Sequence, residues 1–216
     1  MQQAIEHLKK SDPVLSAIID RVGDYGIQFR QPDFETLVKS IVYQQLSGRV
    51  ASVIFDRLAA AACPKTAPKT TLQTTTKATS KMTPESVLKL RPSRMRKLGL
   101  STQKTAYIRD LARHTRDGRV VFDELHGLSD QAVMERLTQV KGIGVWTVHM
   151  FLIFALQRHD VLPIGDLGIR NAIRKAYGMA ELPTPAEMEA IAASWRPFCT
   201  VASWYLWRSL EPNANL

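Results

Sequence analysis

Lys141-Gly142-Ile143-Gly144-Val145-Trp146-Thr147 has the residue types and spacing to grip a phosphate. Two glycines in a turn between helical patterns permit backbone angles and a close approach that side chains would block. Backbone N–H groups at the start of the next helix then face an anion, and the helix dipole favours it there. Lys141 adds a point charge. Further on, Pro163-Ile164-Gly165-Asp166-Leu167-Gly168-Ile169 brings one isolated carboxylate to the start of another helix. Asp is a preferred N-cap, and an ordinary cap would account for its position. The same position keeps the acid ionised. An ionised carboxylate can stabilise a cationic sugar or orient a water, provided it stands open to that sugar. A phosphate grip followed by a lone carboxylate suggests chemistry on a nucleic acid.

The elements that must hold these residues read as helices. Helical periodicity dominates and strand alternation is nearly absent, which predicts an all-α fold. Phe34, Leu37, Val38, Ile41 and Val42 form a stripe behind an Asp33 cap. Val50 to Ala62 reads as a helix. Ser101 caps a segment with Ala106, Tyr107, Leu111 and Ala112 as its apolar stripe. Ser129 opens a short helix with Ala132, Val133, Met134 and Leu137. Val145 to Leu156 is apolar almost all round and belongs at the centre of the fold. Leu167 to Tyr177 is stopped by Gly178. Thr184-Pro185-Ala186-Glu187 is a capping box with Pro at the first helical position. A last helix covers Thr200 to Leu210. Lys65 to Thr83, rich in Thr and Lys, is too polar to order itself and reads as a mobile surface loop. That loop divides the chain unevenly and suggests two helical lobes: residues 1–81 with 165–216, assembled from both ends of the chain, and a central lobe, 82–164.

The chain has 216 residues and a formal net charge of +9. Its pI of about 9.8 favours a polyanionic partner without naming it. Cys63 and Cys199 stand far apart in no metal-ligand spacing, so neither an iron–sulfur cluster nor a zinc knuckle can be built from them. A reducing, intracellular compartment is the simpler reading. The N-terminal residues lack the apolar core of a signal peptide, and the longest apolar run, Met150 to Leu156, is too short to span a bilayer. No membrane partner is expected, and the chain is expected to be a monomer.

Several stretches together resemble the helix–hairpin–helix superfamily of DNA base-excision glycosylases, in particular the 3-methyladenine DNA glycosylase II family. They are Ser40-Ile41-Val42-Tyr43-Gln44-Gln45-Leu46-Ser47, Leu98-Gly99-Leu100-Ser101-Thr102-Gln103-Lys104, the hairpin with Trp146-Thr147, Asp160-Val161-Leu162-Pro163 to Asp166, and Trp195-Arg196-Pro197-Phe198 to Leu206-Trp207. The resemblance implies a two-lobed all-α fold with its active site in the interlobe cleft, in a compact form without the N-terminal α/β domain of some relatives. It implies a monofunctional enzyme that everts alkylated purines from duplex DNA, hydrolyses the N-glycosidic bond and leaves an abasic site. The competing reading is a helix–hairpin–helix module that binds DNA without catalysis.

Site roles follow from the same resemblance. Asp166 is the catalytic carboxylate, and Asp160 looks structural. Strand-nicking relatives carry a nucleophilic lysine where this chain has Trp146, so no Schiff base is expected. Trp146, Trp207, Met150 and Tyr43 are the base pocket; Trp195 and Trp204 are read as core. Electron-rich indoles attract a cationic alkylated purine, and the Met150 position is aromatic in some relatives. Gln45 and Leu46 match the gap-filling loop, although packing at a helix end would also account for Leu46. Lys141, Gly142, Ile143, Gly144 and Lys104 are expected on DNA, with Arg91, Arg94, Arg96 and Lys97 beside the phosphate backbone. No cofactor is required. In the family, hairpin carbonyls hold a monovalent cation; matched here, these are those of Thr138, Val140 and Ile143.

Overall fold

The computed structural model describes residues 1–63 and 81–211. Among them the chain is helical, with no strand. The α-helices are α1 (Gln2–Ser11), α2 (Pro13–Val22), α3 (Phe34–Tyr43), α4 (Gly48–Ala62), α5 (Pro84–Lys89), α6 (Pro92–Lys97), α7 (Thr102–Arg116), α8 (Asp130–Thr138), α9 (Val145–Phe154), α10 (Leu167–Ala176), α11 (Pro185–Ala192) and α12 (Cys199–Ser209). The all-α expectation holds.

Local chemistry accounts for most of the boundaries. The side chains of Asp33, Ser101, Ser129 and Asp166 each accept a backbone N–H from the first turn of the helix they open. The Thr184 capping box closes in both directions. Gly178, at φ +64°, takes the left-handed turn that ends α10. All five residues of the α3 stripe are buried. The α7 stripe is rotated from its expected phase: Thr105, Ile108, Leu111 and Ala112 face inward, while Ala106 is exposed. Apolarity alone misplaces it, because a small threonine can pack where a close helix neighbour leaves little room. α9 is buried at Val148, Phe151, Leu152 and Ile153, as its composition predicts, but its first turn is not: Val145 and Trp146 are exposed.

Of the polar segment 65–83, residues 65–80 lie outside the described residues. Its end is ordered into the fold: Met82 is buried and Thr83 makes a capping box that starts α5.

The chain divides into two compact units, Met1–Arg30 with Val145–Leu216, and Gln31–Gly144. The division falls elsewhere than at 81/82 and 164/165. Residues 31–63 pack with the central segment because the apolar face of α3 is covered by α4 and α7. Residues 145–164 go with the chain ends, where Phe154 stacks on Trp207 and its carbonyl accepts the Arg30 N–H at 2.7 Å.

The unit made from the chain ends has a core of Leu8, Leu15, Ile173, Trp195, Tyr205 and Leu206. Trp195 is fully buried, as expected, and Trp204 is partly buried against Tyr25 and Tyr205. The buried Asp12 caps α2 and also accepts the Trp195 indole N–H at 2.8 Å and the Tyr177 hydroxyl. Such a carboxylate is tolerable only with this many donors. Burial, and then the Asp12 carboxylate, push the Tyr177 hydroxyl well above the usual tyrosine range. In the Gln31–Gly144 unit, α7 is the hub, packed on α3, α5 and α6.

Candidate active site and hairpin

Asp166 opens α10 in the unit made from the chain ends. Its Oδ1 accepts the Ile169 N–H at 2.8 Å and the Trp207 indole N–H at 2.9 Å. Its Oδ2 accepts the Trp146 indole N–H at 2.7 Å. The carboxylate is therefore a helix cap and a node of three charge-assisted hydrogen bonds at once. It does not stand open: the residue is 9% exposed. The reason is that both tryptophans expected to stack on a base turn their N–H edges to the acid. Trp146, the partner of Oδ2, is itself 46% exposed. Among the described residues Asp166 has no ion pair; every partner is a neutral N–H donor.

α9 carries Trp146, and α12 carries Trp207. Trp207 is partly buried and stacks on Phe154, centroids 5.8 Å apart and planes 26° from parallel. The Arg30 guanidinium lies 5.8 Å from the Phe154 ring centroid. Met150, one turn after Trp146, is partly buried. Gly168 completes the arrangement. A Cβ there would lie 3.0 Å from Asp166 Oδ1 and 3.2 Å from Trp207 Cδ1, so only glycine lets the indole reach the acid undisturbed. Sequence reasoning misses Phe154 and Gly168, since neither stands in a chemically suggestive pattern.

Asp160 is structural, as expected. It accepts the Cys199 N–H at 3.2 Å and Arg196 at 2.9 Å. Burial alone would raise its pKa, but the hydrogen bonds from Cys199 and Arg196 hold it below the usual carboxylate range.

The remaining expected residues belong to the Gln31–Gly144 unit. Gly142 takes φ +85°, and a Cβ there would sit 2.1 Å from the Tyr107 ring. Ile143 N–H donates to the Val140 carbonyl at 3.1 Å, and Lys141 N–H donates to Asp110 Oδ2 at 3.0 Å. Neither bond uses the N–H of Gly142 or Gly144. A Cβ on Gly144 would meet nothing within 4 Å, so packing within the protein does not require glycine there. Gln44 Nε2 donates to the Gly142 carbonyl at 2.9 Å and ties the turn to the end of α3.

Gln45 is exposed in the left-handed region at φ +55°, which a non-glycine residue adopts at some cost. Leu46 beside it is 39% exposed and is therefore not a core residue. The resemblance puts Lys104 on DNA; within the chain its ammonium donates to the carbonyls of Val42, at 2.8 Å, and Gln44, at 2.6 Å. Carbonyls at the end of a helix lack partners within it, and Lys104 supplies them. Partial burial lowers its pKa. Tyr43 belongs to the Gln31–Gly144 unit, where its ring carries the Lys39 ammonium at 5.5 Å.

Residues 38–197 match the family model described as "HhH-GPD superfamily base excision DNA repair protein". The chain is 33% identical to DNA-3-methyladenine glycosylase 1 of Schizosaccharomyces pombe, over 94% of this chain and 85% of that protein. Among solved structures it is similar to the S. pombe 3-methyladenine DNA glycosylase Mag1 in complex with abasic DNA. There the TM-score is 0.78 at 32% identity, covering 95% of each chain. A DNA-3-methyladenine glycosidase from Bacillus halodurans gives a TM-score of 0.78 at 33% identity, over 95% of this chain and 88% of the other. A match this long, carried by a chain with a glycine hairpin and a capping aspartate, shows that the chain belongs to the HhH-GPD superfamily of base excision DNA repair proteins.

Proposed function

We propose that this chain is a monofunctional DNA glycosylase that hydrolyses the N-glycosidic bond of alkylated purines, of the 3-methyladenine type, in duplex DNA. The observation that carries the reading is the Asp166 carboxylate held by the indole N–H groups of Trp146 and Trp207. A damaged nucleotide must leave the stack before its glycosidic bond can be reached. Gln45 and Leu46, both exposed on a tight turn, are suited to fill the gap it leaves. The electron-rich indole faces favour a purine that carries positive charge.

In the proposed reaction the C1′–N bond breaks and its electron pair leaves with the base. A base already cationic needs no strong general acid. For Asp166 to act, the half-exposed Trp146 indole must swing off Oδ2. The acid then faces the oxocarbenium-like sugar and stabilises it, or orients the water that adds to C1′. Trp146 has no amine, so no covalent imine forms and the strand stays intact. The hairpin anchors a phosphate through the N–H groups of Gly142 and Gly144 together with Lys141. The Thr138, Val140 and Ile143 carbonyls are hard oxygen donors suited to a monovalent cation that would add positive charge there. The Thr138 carbonyl lies at the end of α8, where helix carbonyls lack intrahelical partners, and the Val140 carbonyl, two residues on, accepts the Ile143 N–H on one of its two lone pairs. With DNA as partner, the protein works inside the cell.

A non-catalytic module would have Asp166 buried or salt-bridged, with Trp207 in the core; Asp166 is buried, but among the described residues it has no ion pair, and Trp207 is only partly buried. The deciding measurement is release of free bases from methylated duplex DNA, resolved by chromatography. Release of 3-methyladenine, with no adduct trapped by borohydride, is the expected result. A protein that binds the duplex and releases nothing would defeat the reading.

Gly168 provides a separate check. Gly168→Ala should move Asp166 or Trp207 by a few tenths of an ångström, since the new methyl has no room. A 1 Å displacement of a catalytic group costs about 10²-fold. Base release should therefore fall about tenfold in single-turnover assays, with DNA affinity within about twofold of wild type. An unaffected rate would mean that the Asp166–Trp207 hydrogen bond is dispensable.

A further inference from the structure

Behind the hairpin, within the Gln31–Gly144 unit, lies a cavity of about 290 Å³. Arg96, Arg109, Arg113 and Lys141 line it, with Asp110 as the one carboxylate. Asp110 is already engaged: its Oδ2 accepts the Lys141 N–H at 3.0 Å and lies 3.5 Å from His114 Nδ1. Arg109 directs one nitrogen to the carbonyls of Leu88 and Leu90. The charged ends of Arg96, Arg113 and Lys141 have no ion-pair partner among the described residues. Thr105 lines the same cavity. It is 4% exposed, and its hydroxyl is buried without a hydrogen-bond partner.

Arg96, Arg113 and Lys141 are exposed, so their mutual repulsion is screened and modest, whereas a buried hydroxyl without a partner is costly. One ligand removes both defects. A phosphate group offers several acceptor oxygens to guanidinium and ammonium donors and to a hydroxyl, and arginine suits its geometry. Apolar or cationic ligands leave the charges or the hydroxyl unmatched.

We propose that this cavity is a second phosphate-binding site, joined to the hairpin through Lys141 and separate from the Asp166 site. Its occupant is a phosphate group, either a backbone diester of bound DNA or a free phosphate ion. The diester case rests on the glycosylase reading, whereas the free-ion case does not.

The test compares wild type with R96Q/R113Q and with Thr105→Val, which keeps the shape and removes the hydroxyl. Inorganic phosphate is titrated by calorimetry, and affinity for an abasic duplex is measured from about 50 to 200 mM salt, the range over which phosphate binding responds steeply. Saturable phosphate binding should vanish in R96Q/R113Q and weaken severalfold in Thr105→Val. If the occupant is DNA, R96Q/R113Q should also bind the duplex about tenfold more weakly, with a salt slope smaller by about 0.9 for each DNA phosphate that is no longer neutralised. Saturable phosphate binding with an unchanged slope assigns the site to the free ion. No saturable phosphate binding by wild type, together with an unchanged slope in R96Q/R113Q, overturns the proposal. Base release by wild type, measured alongside, shows independently whether the glycosylase reading stands.

Discussion

Asp166→Asn should bind abasic duplex DNA like wild type and lose base release by about 10²–10³-fold, the scale for removing one preorganised electrostatic contact at a reacting centre. The substitution separates the two roles of this residue. Asn is as good an N-cap as Asp. Its carbonyl oxygen can keep the bonds from Ile169 and Trp207 that Oδ1 now accepts. The amide nitrogen, however, is a donor, and it replaces the oxygen to which Trp146 Nε1 donates at 2.7 Å. Two donors then face each other, and Trp146, already half exposed, turns away. Breaking that bond costs about 1–3 kcal/mol. For a chain of this size that lowers Tm by about 2–4 °C per kcal/mol. Stability therefore falls modestly while catalysis collapses, because only catalysis needs the charge. Release within twofold of wild type would remove Asp166 from the chemistry.

The second large effect is expected at the hairpin. Gly142→Ala should weaken DNA binding at least tenfold, whatever the state of the Asp166 site. A left-handed backbone costs an L-residue about 1–2 kcal/mol. Here the added methyl would also overlap Tyr107 Cδ2 at 2.1 Å and Cγ at 2.4 Å. Cγ is held close to the α7 backbone, so rotating the ring does not clear the clash and the turn itself must move. Its displacement breaks the register of Ile143 on Val140 and of Lys141 on Asp110, the bonds that shape the grip. Gly144→Ala is the informative partner. Its methyl meets no protein atom, so any fall in affinity measures how closely a ligand approaches the backbone there. Equal DNA affinity in wild type and Gly142→Ala, from titrations at fixed salt, would show that the hairpin is not the anchor.

How much of this is legible in the sequence divides by range along the chain. Asp33, Ser101, Ser129, Asp166 and Thr184 read as helix starts and cap their helices, because each bonds an N–H three residues on. The α3 stripe is legible because large apolar residues recur on one face. The periodicity leaves α1 and α2 unassigned, although Asp12-Pro13 is a helix start of the same kind: the Asp12 side chain accepts from Val14 and Leu15. The α7 stripe comes out of phase, since periodicity counts apolar residues and cannot weigh a buried threonine.

The residue types alone determined an all-α chain, a glycine hairpin after α8 and an acid at the start of α10. Each follows from backbone preferences and from bonds made within one or two turns. Tertiary structure alone decided what those residues touch. Lys104 is drawn to the carbonyls at the end of α3, and the tryptophans on α9 and α12 present N–H edges to one carboxylate. Gly168 is needed because Trp207 arrives beside it. Hydrogen-bond direction and van der Waals contact act over a few ångströms, between residues that can stand 183 positions apart along the chain. No local pattern records which of them will meet.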